Sequence, residues 1–150
     1  MMDTAALIIS ILALLVSVGV AIIEEKREYN ISKISLEFDF YKEILGNHLI
    51  KSIPQARNSL CINKKTMTLS GESAFLDELA LLRKDILYFK YSNPHFHSSL
   101  KQLIQDLEDF IIEKSSTTFD AESKKVFFQE LQRRIELIYD TISKAYLGKI

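Results

Sequence analysis

The chain has little of what disulfides, metal sites and phosphate loops require. Its 150 residues include one cysteine, Cys61, so no disulfide can form within the chain. A single cysteine suits a reducing compartment, and such a residue is more often a small buried hydrophobe than a nucleophile. The four glycines lie apart, at positions 19, 46, 71 and 148, and none belongs to a glycine-rich phosphate loop.

Catalytic and metal-binding motifs are also missing. The sequence contains no HExxH motif, no GxSxG motif and no paired cysteines. His95 and His97 in SNPHFHSS resemble a metal pair, but residues two apart on a helix point to different sides and no third ligand is evident. We interpret them as surface or cap-proximal histidines. His48 with Cys61 could form a thiol nucleophile pair, but the buried-hydrophobe interpretation of Cys61 is preferred. We therefore predict no enzymatic activity, no metal and no cofactor.

Charge is absent from one long segment near the start. Residues 5–23, AALIISILALLVSVGVAII, form a run of 19 residues without charge or proline. A helix of that length extends about 28 Å, close to the hydrocarbon thickness of a bilayer. A cleaved signal peptide would begin with basic residues and have a shorter apolar run. A buried core helix is rarely apolar on all sides over such a length. We predict a transmembrane helix over residues 5–23.

Basic residues follow this segment and do not precede it. Lys26, Arg27 and Lys33 come soon after it, whereas residues 1–4 contain no Lys or Arg. An excess of Lys and Arg stays on the cytoplasmic side of a membrane. The sequence therefore predicts a single-pass protein with residues 1–4 outside the cytoplasm and residues 24–150 inside it.

Small residues recur along one face of the predicted span, at gaps of 4, 3, 4 and 4: Ala6, Ser10, Ala13, Ser17 and Ala21. Small side chains allow close approach of helix backbones, and such packing drives helix association in lipid. This face predicts self-association within the membrane. The alternative is that Ala and Ser are simply common in such helices.

The segment 24–150 is predicted to be an all-α bundle that continues from the membrane helix. It has as many basic as acidic residues, 19 of each, so nothing marks it as a binder of duplex nucleic acid. Apolar residues recur at helical spacing in four stripes: Ile31, Ile34, Phe38, Tyr41 and Leu45; Phe75, Leu79, Leu82, Ile86 and Phe89; Phe96, Leu100, Leu103, Leu107 and Phe110; and Phe127, Leu131, Ile135, Ile138 and Ile142. We assign these stripes to the core, although part of each could instead pair with a neighbouring subunit.

Three details refine this prediction. Residues 34–40 also alternate as a strand would, but continuity with the membrane helix favours a helix there. Asn93 and Pro94 are expected to be the cap and first residue of a helix. Residues 47–60, which include Pro54, are expected to form a shorter, interrupted helix.

Acidic residues are absent from the 28 positions between Glu43 and Glu72. Ammonium groups, hydroxyls and a permissive glycine before a helix start are what a phosphate site needs. The candidate ligand-binding residues are Lys51, Arg57, Lys64, Lys65, Thr66, Thr68 and Ser70. An ordinary solvated loop is the alternative. If the first helix runs straight, it carries this loop about 30 Å from the membrane. Attraction to anionic lipid is then screened, which favours a soluble phosphate-bearing ligand or an acidic protein.

In layout, with AALIISILALLVSVGVAII before a compact cytosolic sensor, the chain resembles small membrane-anchored bacterial antiphage effectors. Within this group it resembles the membrane-anchored accessory effector of type III CRISPR systems. That resemblance implies activation by a cyclic oligoadenylate, homo-oligomerisation, for example to a tetramer, and perturbation of the inner membrane. The second hypothesis is a membrane-tethered helical adaptor that docks a protein partner and binds no nucleotide. The third, ranked last, is a small membrane enzyme of unknown type.

Overall fold

Helices dominate the structure, which confirms the all-α prediction. The computed structural model describes the backbone of residues 2–147 and the side chains of residues 13–147. Its helical elements are α1 (Met2–Ile44), a π-helical segment (Leu45–Ser52), α2 (Ile53–Ser59), α3 (Glu72–Asp85), a 3₁₀ turn (Ile86–Tyr88), α4 (Phe89–Ser92), α5 (Pro94–Ser115) and α6 (Ala121–Tyr146). Between α2 and α3 the chain forms two antiparallel strands, β1 (Cys61–Ile62) and β2 (Leu69–Ser70). The chain divides into two compact units, Met1–Asp39 and Phe40–Ile150.

The described part of the first unit belongs entirely to α1. This helix runs without a break to Ile44, so the alternating residues 34–40 do not form a strand and the helical interpretation is confirmed. In the part of the chain that the structure describes, no helix combines the length and apolar character needed to cross a membrane. The side chains of residues 5–12, which include Ala6 and Ser10, lie outside the described residues.

Three residues of the α1 stripe do not lie in the core. The exposed fractions of Ile31, Ile34 and Phe38 are 56%, 66% and 45%. Only the end of the stripe is covered, where Tyr41 is buried and Leu45 is half-buried. The core assignment is therefore wrong for the first three residues, because helical spacing shows that residues share a face and does not show what covers that face.

The core of the second unit forms where α3, α5 and α6 bring their apolar stripes together. The predicted stripe residues of α3 and the turn after it are buried, and so are those of α6. On α5, Leu103 is only half-buried, and Ile104 takes the core position instead. Because α5 packs against both α3 and α6, its buried face is broader than a single 3-4 stripe.

Aromatic rings join the end of α1 to α4 and α5. The ring of Tyr41 stacks on Phe89, with 4.5 Å between the ring centroids, and meets the edge of Phe96 at 5.2 Å. Phe89 and Phe96 also meet edge to face at 4.9 Å. Offset and edge-to-face arrangements are favourable for aromatic pairs. This cluster holds the last turn of α1 in the core of the second unit.

The predicted helix boundaries are confirmed at two places. Asn93 caps α5 by accepting a hydrogen bond from the backbone N–H of Phe96 at 3.2 Å, and Pro94 is the first helical residue. Residues 47–60 form an interrupted helix in which the π-helical segment passes into α2, with Pro54 in its first turn. Pro54 therefore lies at the junction of the two helical segments, near the start of α2, which is a position that proline tolerates.

The strands β1 and β2 form a short hairpin in a region where the sequence predicted a polar loop. The backbone N–H of Asn63 donates to the carbonyl of Thr68 at 2.9 Å, and that of Met67 donates to the carbonyl of Asn63 at 2.8 Å. Met67 adopts a positive φ of 56°, which closes the turn. The hairpin is also bonded to the loop between α5 and α6, because the backbone N–H of Phe119 donates to the carbonyl of Met67 at 2.7 Å.

Candidate anion-binding site

The hairpin turn presents the two adjacent lysines of the predicted site. Lys64 and Lys65 lie at the tip of the hairpin, and both are exposed. The side-chain oxygen of Asn63 accepts a hydrogen bond from the backbone N–H of Lys65 at 2.9 Å. Such a bond is typical of Asn in tight turns, where it stabilises the turn locally. Neither lysine has a carboxylate partner within the described residues. Their ammonium groups are therefore available to an anion.

Two hydroxyls lie beside these lysines. The oxygens of Thr66 and Thr68 are 2.7 Å apart, so one hydroxyl donates to the other. A hydroxyl that accepts in this way still has its own hydrogen to donate. Ser70 lies in β2, pairs with Cys61 and is half-buried. The turn can therefore offer two ammonium groups and one hydroxyl donor to an anion, while Ser70 lies farther along the strand.

Gly71 has the role that the sequence predicts for it, directly before a helix. Its φ of 84° is left-handed, and a Cβ there would lie 2.2 Å from the carbonyl oxygen of Ser59. Only glycine fits this approach without a shift of the backbone. The positive end of α3 is nevertheless already matched by an acidic residue, Glu72, in its first turn. An anion is therefore expected at the lysines rather than at the helix start.

The remaining two predicted residues lie outside the hairpin. Lys51 is exposed in the π-helical segment, and Arg57 lies on α2. Arg57 lines a cleft of 460 Å³ together with Lys125 and Arg133 of α6. Its buried Nε has no hydrogen-bond partner within the described residues. The sequence does not predict that Arg57 lies near Lys125 and Arg133, because nothing in the local pattern shows which face of α6 lies beside α2.

His48 forms a buried polar contact that the sequence analysis did not detect. Its Nδ1 lies 2.6 Å from an oxygen of Glu78, and its Nε2 lies 2.9 Å from an oxygen of Asp85. The ring of His48 therefore links the π-helical segment to α3 through two carboxylates that lie seven positions apart on that helix.

Neither a thiol–histidine pair nor a metal group forms around these residues. Cys61 is exposed, so its interpretation as a buried hydrophobe is wrong, because this edge of the hairpin faces outward. Both nitrogens of His48 are taken by carboxylates, on opposite edges of its ring. Across residues that the structure describes, no three His, Cys, Asp or Glu side chains are grouped to hold a metal ion.

The histidines of α5 face different surroundings. His95 is exposed, whereas His97 is buried with 9% of its surface exposed. Burial lowers the pKa of His97, and the nearby charges of Lys101 and Lys90 lower it further. His95 therefore lies at the surface, whereas His97 is buried but lies next to the Asn93 cap, to whose carbonyl its backbone N–H donates at 3.0 Å. The two histidines differ because residues two apart on a helix point to different sides.

No protein-family model matches the chain, and neither a curated protein nor a solved structure is significantly similar to it.

Proposed function

We propose that the protein is a membrane-anchored effector of antiviral defence whose cytoplasmic helical domain binds a cyclic oligoadenylate. The observation that carries this proposal is the exposed apolar surface of α1. Leu14, Val16 and Ile23 are exposed by 65%, 65% and 67%. Soluble proteins rarely expose contiguous apolar patches larger than a few hundred Å². Insertion of residues 5–23 into the bacterial inner membrane covers this surface with lipid.

The described polar side chain of Ser17 within this segment supports the same proposal. The hydroxyl of Ser17 donates to the backbone carbonyl of Ala13 at 2.9 Å, one helical turn earlier. Hydrocarbon offers no water, so a polar side chain in the membrane must find its partner in protein. Ala13, Ser17 and Ala21 are exposed along the predicted small-residue face, which leaves that face open for a second copy of the helix.

The hairpin provides the proposed contact with the ligand. Lys64 and Lys65 with the Thr66–Thr68 hydroxyl pair match the charge and hydrogen-bond acceptors of a phosphate group. The resemblance in layout, rather than any motif, identifies the ligand class as a cyclic oligoadenylate. Equivalent phosphates suit a symmetric homo-oligomer, such as a tetramer, with one hairpin per subunit. Ligand binding then favours one subunit arrangement, and α1 passes that preference to the membrane segments.

The membrane arrangement is tested by extraction and by protease protection. The full chain is expected to remain in the membrane fraction after alkaline carbonate washing and to require detergent for release. Protease added to the outside of intact spheroplasts is expected to leave residues 24–150 uncut, and detergent is expected to expose them. Release without detergent, or cleavage of this part from outside, would contradict the anchor or its orientation.

Ligand binding is tested with the full chain in detergent and a labelled cyclic oligoadenylate. Changing both Lys64→Glu and Lys65→Glu is expected to weaken binding by more than about tenfold, since each charge-assisted contact is lost and replaced by repulsion. The control carries Lys42→Glu and Lys124→Glu, which reverse two exposed charges outside the hairpin.

The outcomes separate the site from the function. Equal binding by wild type and the hairpin variant would remove the hairpin as the site. Failure of the wild type to bind any ring size would overturn the ligand class. If a protein then co-purified with the wild-type chain, the adaptor hypothesis would replace the effector hypothesis.

A further inference from the structure

A second group of basic side chains lines a cleft between helices of the second unit. The cleft has a volume of 340 Å³ and lies between α3, α4 and α5. Its charged and titratable lining residues are Arg83, Lys84, Lys90, His97 and Lys101. All its lining residues are described, and none is acidic. Like charges gathered around one cavity repel one another, so a cavity of this kind is stabilised by an anion.

One of these cations is already neutralised. The guanidinium of Arg83 donates to a carboxylate oxygen of Glu108 at 2.7 Å. The ammonium groups of Lys84, Lys90 and Lys101 form no ion pair within the described residues. Lys90 instead lies 5.7 Å from the ring centroid of Tyr91. Three ammonium charges around the cleft are therefore without a carboxylate.

His97 adds an imidazole to the lysines of this cleft. The residue has 9% of its surface exposed, lines the cleft and makes no side-chain hydrogen bond within the described residues. Neither ring nitrogen of His97 belongs to the described buried atoms that lack a partner, so both nitrogens are accessible to solvent and can bind a ligand in the cleft. A phosphate oxygen in the cleft is a suitable partner, because a protonated imidazole donates to an anion.

We propose that the α3–α5 cleft is a second anion-binding site, one that takes a small soluble molecule carrying a pyrophosphate group. Three ammonium groups and one imidazole match a polyanion better than a single phosphate. The volume lies at the lower end of small-molecule sites, roughly 300–1,000 Å³, which suits a diphosphate or a mononucleotide rather than a large ring. This site goes beyond the proposed function and does not depend on it.

Two of the cleft lysines act on His97 directly. The charges of Lys101 on α5 and Lys90 on α4 disfavour an additional positive charge, whereas on α3 Lys84 carries no carboxylate partner within the described residues and Arg83 is paired with Glu108. A bound polyanion reverses this balance. Binding is therefore expected to raise the pKa of His97 and to be accompanied by proton uptake, so that affinity increases as pH falls through the range in which His97 titrates.

The test follows the ring signals of His97 by NMR in the full chain, held in a phosphate-free, non-ionic detergent. The variant His97→Gln identifies those signals among the three histidines. Inorganic pyrophosphate at constant ionic strength is expected to produce a saturable shift at His97. Lys90→Gln and Lys101→Gln are each expected to weaken pyrophosphate binding about tenfold, the loss typical of one hydrogen bond to a charged group.

The control Lys124→Gln, on α6 and outside the cleft, is expected to bind as the wild type does. An unmoved His97 signal, or equal weakening by the control, would overturn the proposal. A shift seen only with vesicles containing phosphatidylglycerol would assign the site to lipid head groups instead. The variant with Lys64→Glu and Lys65→Glu is expected to retain pyrophosphate binding, so failure of the hairpin proposal remains distinguishable from failure of this one.

Discussion

Two helical regions of this chain share a spacing of apolar residues and differ completely in burial. On α1, Ile31, Ile34 and Phe38 are exposed by 56%, 66% and 45%. On α3, Phe75 and Leu79, like Leu82 after them, are fully buried. The steps between these residues are three and four in both helices, in opposite order.

The difference arises from what covers each face. α3 packs against α2 and α5, which supply partners for its stripe. The exposed residues of α1 belong to a unit formed by that helix alone. A periodic pattern therefore identifies a helix and one of its faces, but the free energy of burial depends on a neighbour that the pattern does not identify. The predictions below compare residues of the same type in such contrasting surroundings.

The largest effect is expected for Leu82→Ala, which removes a fully buried side chain from the core. We expect a loss of about 2–5 kcal/mol in the free energy of unfolding, because the lost transfer free energy is joined by the cost of a cavity. The matched control is Leu81→Ala on the same helix, where the side chain is 51% exposed. We expect it to change stability by less than about 0.5 kcal/mol.

Both variants are measured by urea unfolding of the full chain, followed by circular dichroism in one detergent. Ile34→Ala on α1 is included and is expected to behave like Leu81→Ala. A loss at Ile34 as large as that at Leu82 would show that the exposed stripe of α1 is covered in solution and would break the comparison.

His48→Ala is expected to have the next largest effect. It removes the ring between Glu78 and Asp85 and leaves the less exposed carboxylate, that of Glu78, without its partner. We expect a loss of about 1–3 kcal/mol in the free energy of unfolding, the usual cost of a buried group left unsatisfied. His95→Ala, which removes an exposed ring, serves as the control and is expected to be nearly neutral. Equal effects of the two substitutions would show that the contact of His48 contributes no stability.

Gly71→Ala is expected to lose more than about 1 kcal/mol, because alanine disfavours a positive φ and its Cβ would collide with the carbonyl of Ser59. Gly46→Ala is the control, since a Cβ there meets nothing within 4 Å. It is expected to be neutral or stabilising, as alanine is the better helix former. Thermal unfolding of the two variants under identical conditions checks the order. A Gly71→Ala protein as stable as the wild type would exclude the close approach to Ser59.

The smallest effect is expected at the surface of α6, in the ion pair between Glu130 and Arg133. The hydrogen bond from Arg133, aided by the charges of Arg133 and Arg134, lowers the pKa of Glu130 from 4.5 to about 2. The folded carboxyl therefore holds its proton less tightly than the unfolded one, and its contribution to stability is complete above pH 4.5 and is lost as pH falls toward 2. Because the pair is partly exposed, we expect it to contribute about 0.5–1 kcal/mol to the free energy of unfolding.

Urea unfolding of wild type and Glu130→Gln measures this contribution. The stability difference between the two proteins should be present above pH 4.5 and should disappear near pH 2. A difference that stays constant over this range would mean that the stabilisation does not come from the charge of Glu130.

The two proposed anion sites differ in how far the sequence could predict them. The hairpin lysines are adjacent in the chain, so the absence of acidic residues around them was visible directly. The cleft draws Lys84, Lys90 and Lys101 from three different helices, and its histidine, which was expected at the surface or near a helix cap, is buried. Arg57 shows the same limit, since its neighbours Lys125 and Arg133 come from a distant helix.

The sequence by itself determined that the chain is mainly helical and that helices begin after Asn93 and Gly71, because helical spacing, the Asn93-Pro94 cap and Gly71 act through local backbone geometry. It also determined that one run of residues, 5–23, carries no charge. Only the tertiary structure decided that Ile34 is exposed while Leu82 is buried, that His48 lies between two carboxylates, and that His97 lines a cationic cleft. Those features depend on the distances between residues that are far apart in the chain and on the access of solvent to each of them. A local sequence pattern specifies neither quantity.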